Sequence, residues 1–183
     1  MWSAPPDHPL RRLFAGLTEH AFLTSIGITD PPLIDYVSEL LTRFTHFGAV
    51  YRLQGTHGRP LTEVAEMVME AEEIPPEGRT KREYHRHIGD FTLFWTGLFP
   101  EAVRRAETGW AKDSFVSYTL QGKRSYLIAA TFEADSYREE AAVLKRLGSE
   151  FELCAVGLNR VRKELDELQG DGDSGRLLSR TDL

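Results

Sequence analysis

Two ionisable residues, His87 and Asp90, lie in a segment that is otherwise rich in large apolar side chains, residues 84–101. A carboxylate among apolar groups must find a hydrogen-bond or ionic partner, or else take up a proton. Residues three apart on a helix are neighbours, so the imidazole of His87 can reach Asp90. Such a pair could act as a buried acid or base with a raised carboxyl pKa, with Glu101 nearby at a helix start.

Helical projection of residues 84–98 at about 100° per residue places Asp90 inside a wide apolar arc. One face consists of Tyr84, His87, Ile88, Phe91, Phe94, Trp95 and Leu98, flanked by Asp90, Leu93 and Gly97. Outside this arc are His85, Arg86, Gly89, Thr92 and Thr96. Partners for Asp90 from another helix could be Tyr118, Lys123, Arg124 or Tyr126.

Three interpretations of this segment remain open. The polar groups could form an internal network that fixes helix packing, or they could line a pocket with aromatic walls, in a binding protein or an enzyme. The residues predicted for the network or pocket are His87, Asp90, Phe94, Trp95, Glu101, Tyr118, Lys123 and Tyr126. The third interpretation is a metal-binding helical bundle that uses His85, His87, Asp90 and Glu101. It is the least favoured, because histidines two residues apart on a helix point to opposite sides.

Other sources of chemistry are weak. Cys154 falls on the inward seam of the last predicted helix, where a thiol is usually a small hydrophobic group. No Gly-x-Ser-x-Gly elbow and no glycine-rich phosphate loop occurs. The acidic run from Glu66 to Glu73 is typical of a solvated helix face. Because no catalytic constellation stands out, we predict a non-enzymatic binding or assembly module, with no catalytic residue, metal or cofactor assigned.

The elements that must position these residues are helices, and the pattern predicts an all-α, single-domain bundle of six to eight helices. Helices are expected over residues 8–26, 31–48, 61–71, 80–98 and 151–168, with a short helical turn restarting at Pro100. Asp113-Ser114 and Asp135-Ser136 are expected to cap two more helices, which run to about Ala129 and Gly148. Residues 48–53 could instead form a short strand. Gly89, Gly97 and Gly122 within helices suggest close packing, including a glycine-to-glycine contact between the helix of Gly89 and Gly97 and the helix of Gly122.

Size and composition narrow the functional class. A chain of 183 residues with 41% hydrophobic residues suits one core, with residues 8–169 ordered and residues 170–183 a disordered tail. The net charge of −6 without a basic block disfavours nucleic acid as a partner. No apolar run approaches the length of about 18 residues that spans a membrane. With one cysteine and no apparent signal peptide, we expect a cytoplasmic protein, with a homodimer partner or a small apolar or aromatic ligand.

Three stretches carry a resemblance to a known family. They are TDPPLIDYV at residues 29–37, LTEVAEM at residues 61–67, and the pattern His-Ile-Gly-Asp-x-x-Leu-Phe-x-x-Gly-x-Phe-Pro-Glu at residues 87–101. Over residues 10–165 the chain resembles an uncharacterised family of bacterial all-helical proteins. The resemblance implies a bacterial cytosolic origin and one domain, and it supplies no catalytic residues.

Overall fold

The fold is built from helices joined by short connections. The computed structural model describes residues 8–55, 58–76, 78–110, 112–132, 134 and 137–178, with backbone alone for residues 169–178. In chain order the elements are α1 (Pro9–His20), a π-helical turn (Ala21–Ile26), α2 (Pro31–Phe44), α3 (Phe47–Val50), α4 (Val64–Glu73), α5 (Arg79–Leu98), α6 (Pro100–Thr108), a 3-10 turn (Lys112–Phe115), α7 (Tyr118–Ala130), α8 (Arg138–Ser149) and α9 (Phe151–Leu178). The predicted all-α, single-domain fold is therefore confirmed.

Local chemistry explains where several helices start. Asp30 caps α2, its carboxylate accepting the amide of Leu33, and Pro31 takes the first helical position. Phe99 leaves helical geometry before Pro100, which starts α6 as a helix of its own. The prediction for α7 was wrong, because Ser117 caps it rather than Asp113. The carboxylate of Asp113 instead accepts the amides of Val64 and Ala65 and so caps α4 from outside.

The structure can also be compared with the predictions for the segments between and after the main helices. Residues 47–50 form the short helix α3, and the described residues that follow it include an isolated bridge between Gln54 and Pro60. When α3 and α6 are counted as separate helices, the described residues contain nine α-helices, whereas six to eight were predicted. The predicted cap at residues 135–136 lies outside the described residues. Helix α9 continues to Leu178, residues 179–183 lie outside the description, and disorder of the tail stays a prediction.

Helix α5 forms the centre of the bundle. It packs against α7 and α9 most extensively, and against α4, α6 and α2 at its remaining sides. Its residues from His85 to Leu93 are all buried. A helix covered on every side has no solvent face, so the amphipathic projection of this segment was wrong for His85, Arg86 and Thr92. Within the described residues, no helix has both the length and the apolar composition needed to cross a membrane.

Glycines let α5 and its neighbours approach closely. A Cβ at Gly89 would lie 2.6 Å from the ring of Tyr126, and a Cβ at Gly122 would collide with Thr92 and Phe151. At Gly97 the neighbour is Leu158 of α9. The glycines are therefore explained by close packing as predicted, but side chains rather than a second glycine fill the space at Gly89 and Gly122.

Candidate functional site

Asp90 is the centre of a hydrogen-bond network that joins three helices. Its Oδ1 accepts hydrogen bonds from the hydroxyls of Tyr36 at 2.8 Å and Tyr126 at 3.0 Å. Its Oδ2 accepts from the guanidinium of Arg43 at 3.1 Å. Tyr36 and Arg43 belong to α2 and Tyr126 to α7, so one side chain of α5 ties both helices to the core. Of the predicted partners, only Tyr126 bonds to this carboxylate.

The environment keeps Asp90 ionised. Burial alone would raise its pKa, but the charges of Arg43 and Arg86 and the hydrogen bond from Tyr36 outweigh that effect, so the pKa lies below its ordinary value. The carboxyl group is fully buried. A general base works best with a pKa near the working pH and with access to substrate, so this arrangement gives no support to Asp90 as a buried base.

His87 has partners of its own and does not bond to Asp90. Its Nδ1 accepts a hydrogen bond from Nε of Arg52 at 3.1 Å, and its Nε2 lies 3.1 Å from the carbonyl oxygen of Val50, to which it donates. This pattern requires the neutral imidazole. Burial and the charge of Arg52 lower the pKa of His87 to about 3. The predicted contact between His87 and Asp90 along the helix was therefore wrong, although the two residues lie close together.

Four arginines surround this region, and together with three carboxylates they form what we call the arginine cluster: Arg43, Arg52, Arg82 and Arg86 with Glu83, Asp90 and Glu140. Arg86 donates to Glu83 at 2.8 Å and to Glu140 at 3.1 Å. Arg82 bonds to the same two carboxylates and packs 4.0 Å from the ring of Tyr137. The cluster thus joins α5 to the start of α8.

A groove of about 940 Å³ opens beside the arginine cluster, between α1, α2 and α8. Its lining includes Tyr36 and Arg43, which bond to the buried Asp90, and Arg86, which bonds to Glu140, another lining residue. Its walls include the apolar residues Ala15, Pro32, Ala142 and Val143. Its rim carries the ion pairs of Arg11 with Glu39 and of Arg146 with Asp30. None of the eight residues predicted for a pocket lines this groove.

Phe94 and Trp95 do not form a pocket wall around Asp90. They belong to an aromatic cluster in which the ring centroid of Phe94 lies 5.1 Å from Phe44 and that of Trp95 lies 5.3 Å from Phe99. Both are half-buried in this cluster. The geometry is that of core packing between aromatic rings.

The remaining predicted residues are spread over the molecule. Glu101 pairs with Arg162 at 2.9 Å, Tyr118 donates to Asp113 at 2.6 Å, and Lys123 pairs with Glu152 at 2.7 Å. Arg124, the other predicted cation, is exposed and faces Glu72 at 3.9 Å. Only His87, Asp90 and Tyr126 of the predicted set come together.

The metal hypothesis has no support from the donor geometry. His85, which was expected outside the core, is 1% exposed and lies 3.5 Å from the hydroxyl of Ser125. It does not share a site with His87. Among the residues that the structure describes, no three histidine, cysteine, aspartate or glutamate side chains lie close enough to hold a metal ion.

The residues that the sequence reasoning missed do leave a signal. Tyr36 and Arg43 are seven residues apart and so share one face of α2. Arg82, Arg86 and Asp90 follow one another at spacings of four along α5, which places three charges on one line. When charged residues follow one line along a helix and the helix also has two apolar faces, the pattern indicates that the charges belong to an internal ionic network.

Comparison with protein-family models, with curated proteins and with solved structures gives no significant match. The resemblance to a bacterial helical family accordingly stays a prediction.

Proposed function

We propose that the protein is a non-enzymatic module that binds a small molecule in the groove between α1, α2 and α8. The observation that carries this proposal is the part of the groove wall where Tyr36 and Arg43 are held in place by the buried Asp90, and Arg86 by Glu83 and Glu140. Binding sites typically combine an apolar concavity of a few hundred to about 1,000 Å³ with a few fixed polar groups. The groove has the volume and lining of that type.

Preorganisation supports the same proposal. Side chains of arginine and tyrosine lose conformational freedom when a ligand immobilises them, which weakens binding. Here the side chain of Arg43 is 12% exposed and pairs with Asp90, so most of this cost is met during folding. The buried network around Asp90 would then serve the groove by fixing its inner wall, instead of taking part in chemistry.

A screen of metabolites by thermal shift tests the proposal, because a ligand that binds the native state raises its melting temperature. Ala142→Phe fills the groove from the exposed face of α8. Ala102→Phe is the matched control, since this half-buried alanine of α6 lies away from the groove lining. We expect compounds that stabilise the wild type and the control but not Ala142→Phe. Stabilisation that persists in Ala142→Phe, or no stabilising compound at all, would overturn the proposal.

Two further expectations belong with this proposal. A cytoplasmic location is supported by the lone Cys154, which is buried as a thiol. A homodimer is supported by the exposed apolar side chains of Leu153, Val156 and Leu168 along α9. Light scattering coupled to size exclusion measures the mass directly, and a mass near 20.8 kDa would contradict the dimer.

A further inference from the structure

We infer that a second copy of this chain docks on the outer face of α9, with the two α9 helices antiparallel and in contact at Val156. The inference rests on the homodimer proposed above and adds the surface that the two copies share. This surface, the dimer face, consists of Leu120 of α7 and, along α9, Glu152, Leu153, Val156, Arg160 and Lys163. None of these residues lines the groove.

The centre of the dimer face is apolar although it is exposed. Leu153 and Val156 are neighbours on one side of α9, 41% and 51% exposed, and Leu120 at the start of α7 is 69% exposed. Thr119, which precedes Leu120, lines the same hollow as Val156, so the exposed parts of the two helices lie side by side. Exposed apolar side chains from two neighbouring elements are typical of an interface with another protein.

A hollow of about 420 Å³ lies beside these apolar side chains. Its lining includes Pro100, Ala155 and Val156, together with Thr96, whose buried hydroxyl has no hydrogen-bond partner among the described residues. Protein interfaces are packed as closely as protein interiors, so a docked partner has to fill such a hollow. The face offers both projecting side chains and a hollow to receive them, as a surface that pairs with a copy of itself requires.

The charges along α9 identify the partner as a second copy. Glu152 lies four residues before Val156 and Arg160 lies four residues after it, so each is about 6 Å from Val156 along the helix axis. A two-fold axis at Val156 therefore places Glu152 of each copy opposite Arg160 of the other. Parallel helices in register would bring like charges together instead. Opposite charges in facing positions favour docking, whereas like charges disfavour it.

The charged residues of the dimer face are available for this pairing. Arg160 and Lys163 are exposed and have no ionic partner among the residues that the structure describes. Glu152 pairs with Lys123 at 2.7 Å, and its side chain is 59% exposed. A carboxylate accepts several hydrogen bonds, so the contact with Lys123 leaves capacity for Arg160 of the other copy.

Substitution of Val156 tests the surface. Light scattering coupled to size exclusion is measured on the full chain over a range of concentrations. We expect the wild type at twice the 20.8 kDa of one chain and Val156→Asp at the mass of one chain, because two carboxylates would face each other at the axis. Met69→Asp is the matched control, since this exposed methionine lies on α4, outside the dimer face, and its substitution should leave the dimer intact.

Charge reversal tests the antiparallel arrangement. Glu152→Arg and Arg160→Glu each place like charges opposite one another, so each variant alone should dimerise at least about tenfold more weakly than the wild type. In a mixed dimer of the two variants, both contacts join an arginine to a glutamate. We therefore expect an equal mixture to dimerise with a Kd within about threefold of the wild-type value. Both side chains are exposed, so neither substitution should affect folding.

Each outcome bears on a stated claim. A wild type with the mass of one chain contradicts the homodimer and this inference together, and leaves the face to a partner of another kind. A dimer that Val156→Asp leaves intact overturns the inference but not the homodimer, because the copies then meet at another surface. Dimerisation of either charge variant at wild-type strength, or a mixture that stays monomeric, overturns the antiparallel contact at Val156. Ligand binding in the groove is judged separately by its own screen.

Discussion

Arg43 of α2 and Asp90 of α5 form an ion pair, 3.1 Å between Nη2 and Oδ2, in which the carboxylate is completely buried. Arg43 and Tyr36, which both bond to Asp90, line the groove, whereas the hydroxyl of Tyr126 reaches Asp90 from α7. The pair therefore connects the stability of the core with the shape of the groove, and its removal should affect both.

Replacing Asp90 should be costly. Asp90→Ala leaves the buried charge of Arg43 and two buried hydroxyls without their acceptor, so we expect a loss of about 3–5 kcal/mol in the free energy of unfolding. Urea denaturation measures this loss. Glu152→Ala is the control, because its pair with Lys123 is largely exposed and should be worth about 1 kcal/mol or less. Similar effects of the two substitutions would contradict the assigned role of Asp90.

Gly89→Ala should destabilise the protein although alanine favours helices. The added Cβ would meet the ring of Tyr126 at 2.6 Å, which forces the ring and its hydrogen bond to Asp90 to move. Overpacking of this kind costs about 1–3 kcal/mol. Gly16→Ala is the matched control in α1, where no atom lies within 4 Å of the new Cβ. We expect it to stabilise the protein by up to about 1 kcal/mol, as measured by the melting temperature.

His87 should make the protein sensitive to mild acid. The unfolded chain binds a proton at this imidazole below a pKa of about 6.5, whereas burial and Arg52 lower the native pKa to about 3. Above pH 6.5 neither state is protonated and stability is complete. Between these two pKa values the unfolded state binds the proton alone, so stability falls by up to about 1.4 kcal/mol per pH unit.

His87→Gln tests this pH dependence. Urea denaturation of the wild type and the variant at pH 7 and pH 4.5 gives the dependence of each. The variant is expected to lose about 2.5 kcal/mol less than the wild type over this range, whatever its stability at pH 7. His85, whose pKa burial lowers to about 4, contributes a second dependence that both proteins share. Equal pH dependence of the two proteins would contradict a neutral His87.

Cys154 should be unreactive in the native protein. Burial raises the pKa of this thiol to about 12, and the thiolate is the reactive form. A disulfide reagent at pH 8 should therefore modify no thiol in the folded chain and one thiol per chain in denaturant. Rapid reaction without denaturant would show that α9 opens readily or that the thiol is accessible.

The sequence alone determined the helical class and most helix ends, because those depend on local chemistry. Asp30-Pro31 starts α2, and Phe99-Pro100 separates α5 from α6. Both act through covalent geometry and hydrogen bonds that involve only a few neighbouring residues. Burial of Asp90 and the need of its carboxylate for a partner were also predictable, since the neighbouring residues on its helix are apolar.

Only the tertiary structure decided which partners Asp90 obtains and where a ligand could bind. Arg43 lies 47 residues before Asp90, and Lys123 and Arg124 were equally reasonable from the sequence. The choice depends on which helices pack around α5, and that depends on the summed burial of many side chains instead of on any local pattern. The same packing of helices leaves the groove open between α1, α2 and α8 and buries His85. His85 could not be predicted as buried from its helix alone, because neighbouring helices cover α5 on every side and the helix has no solvent-exposed face that its sequence pattern could reveal.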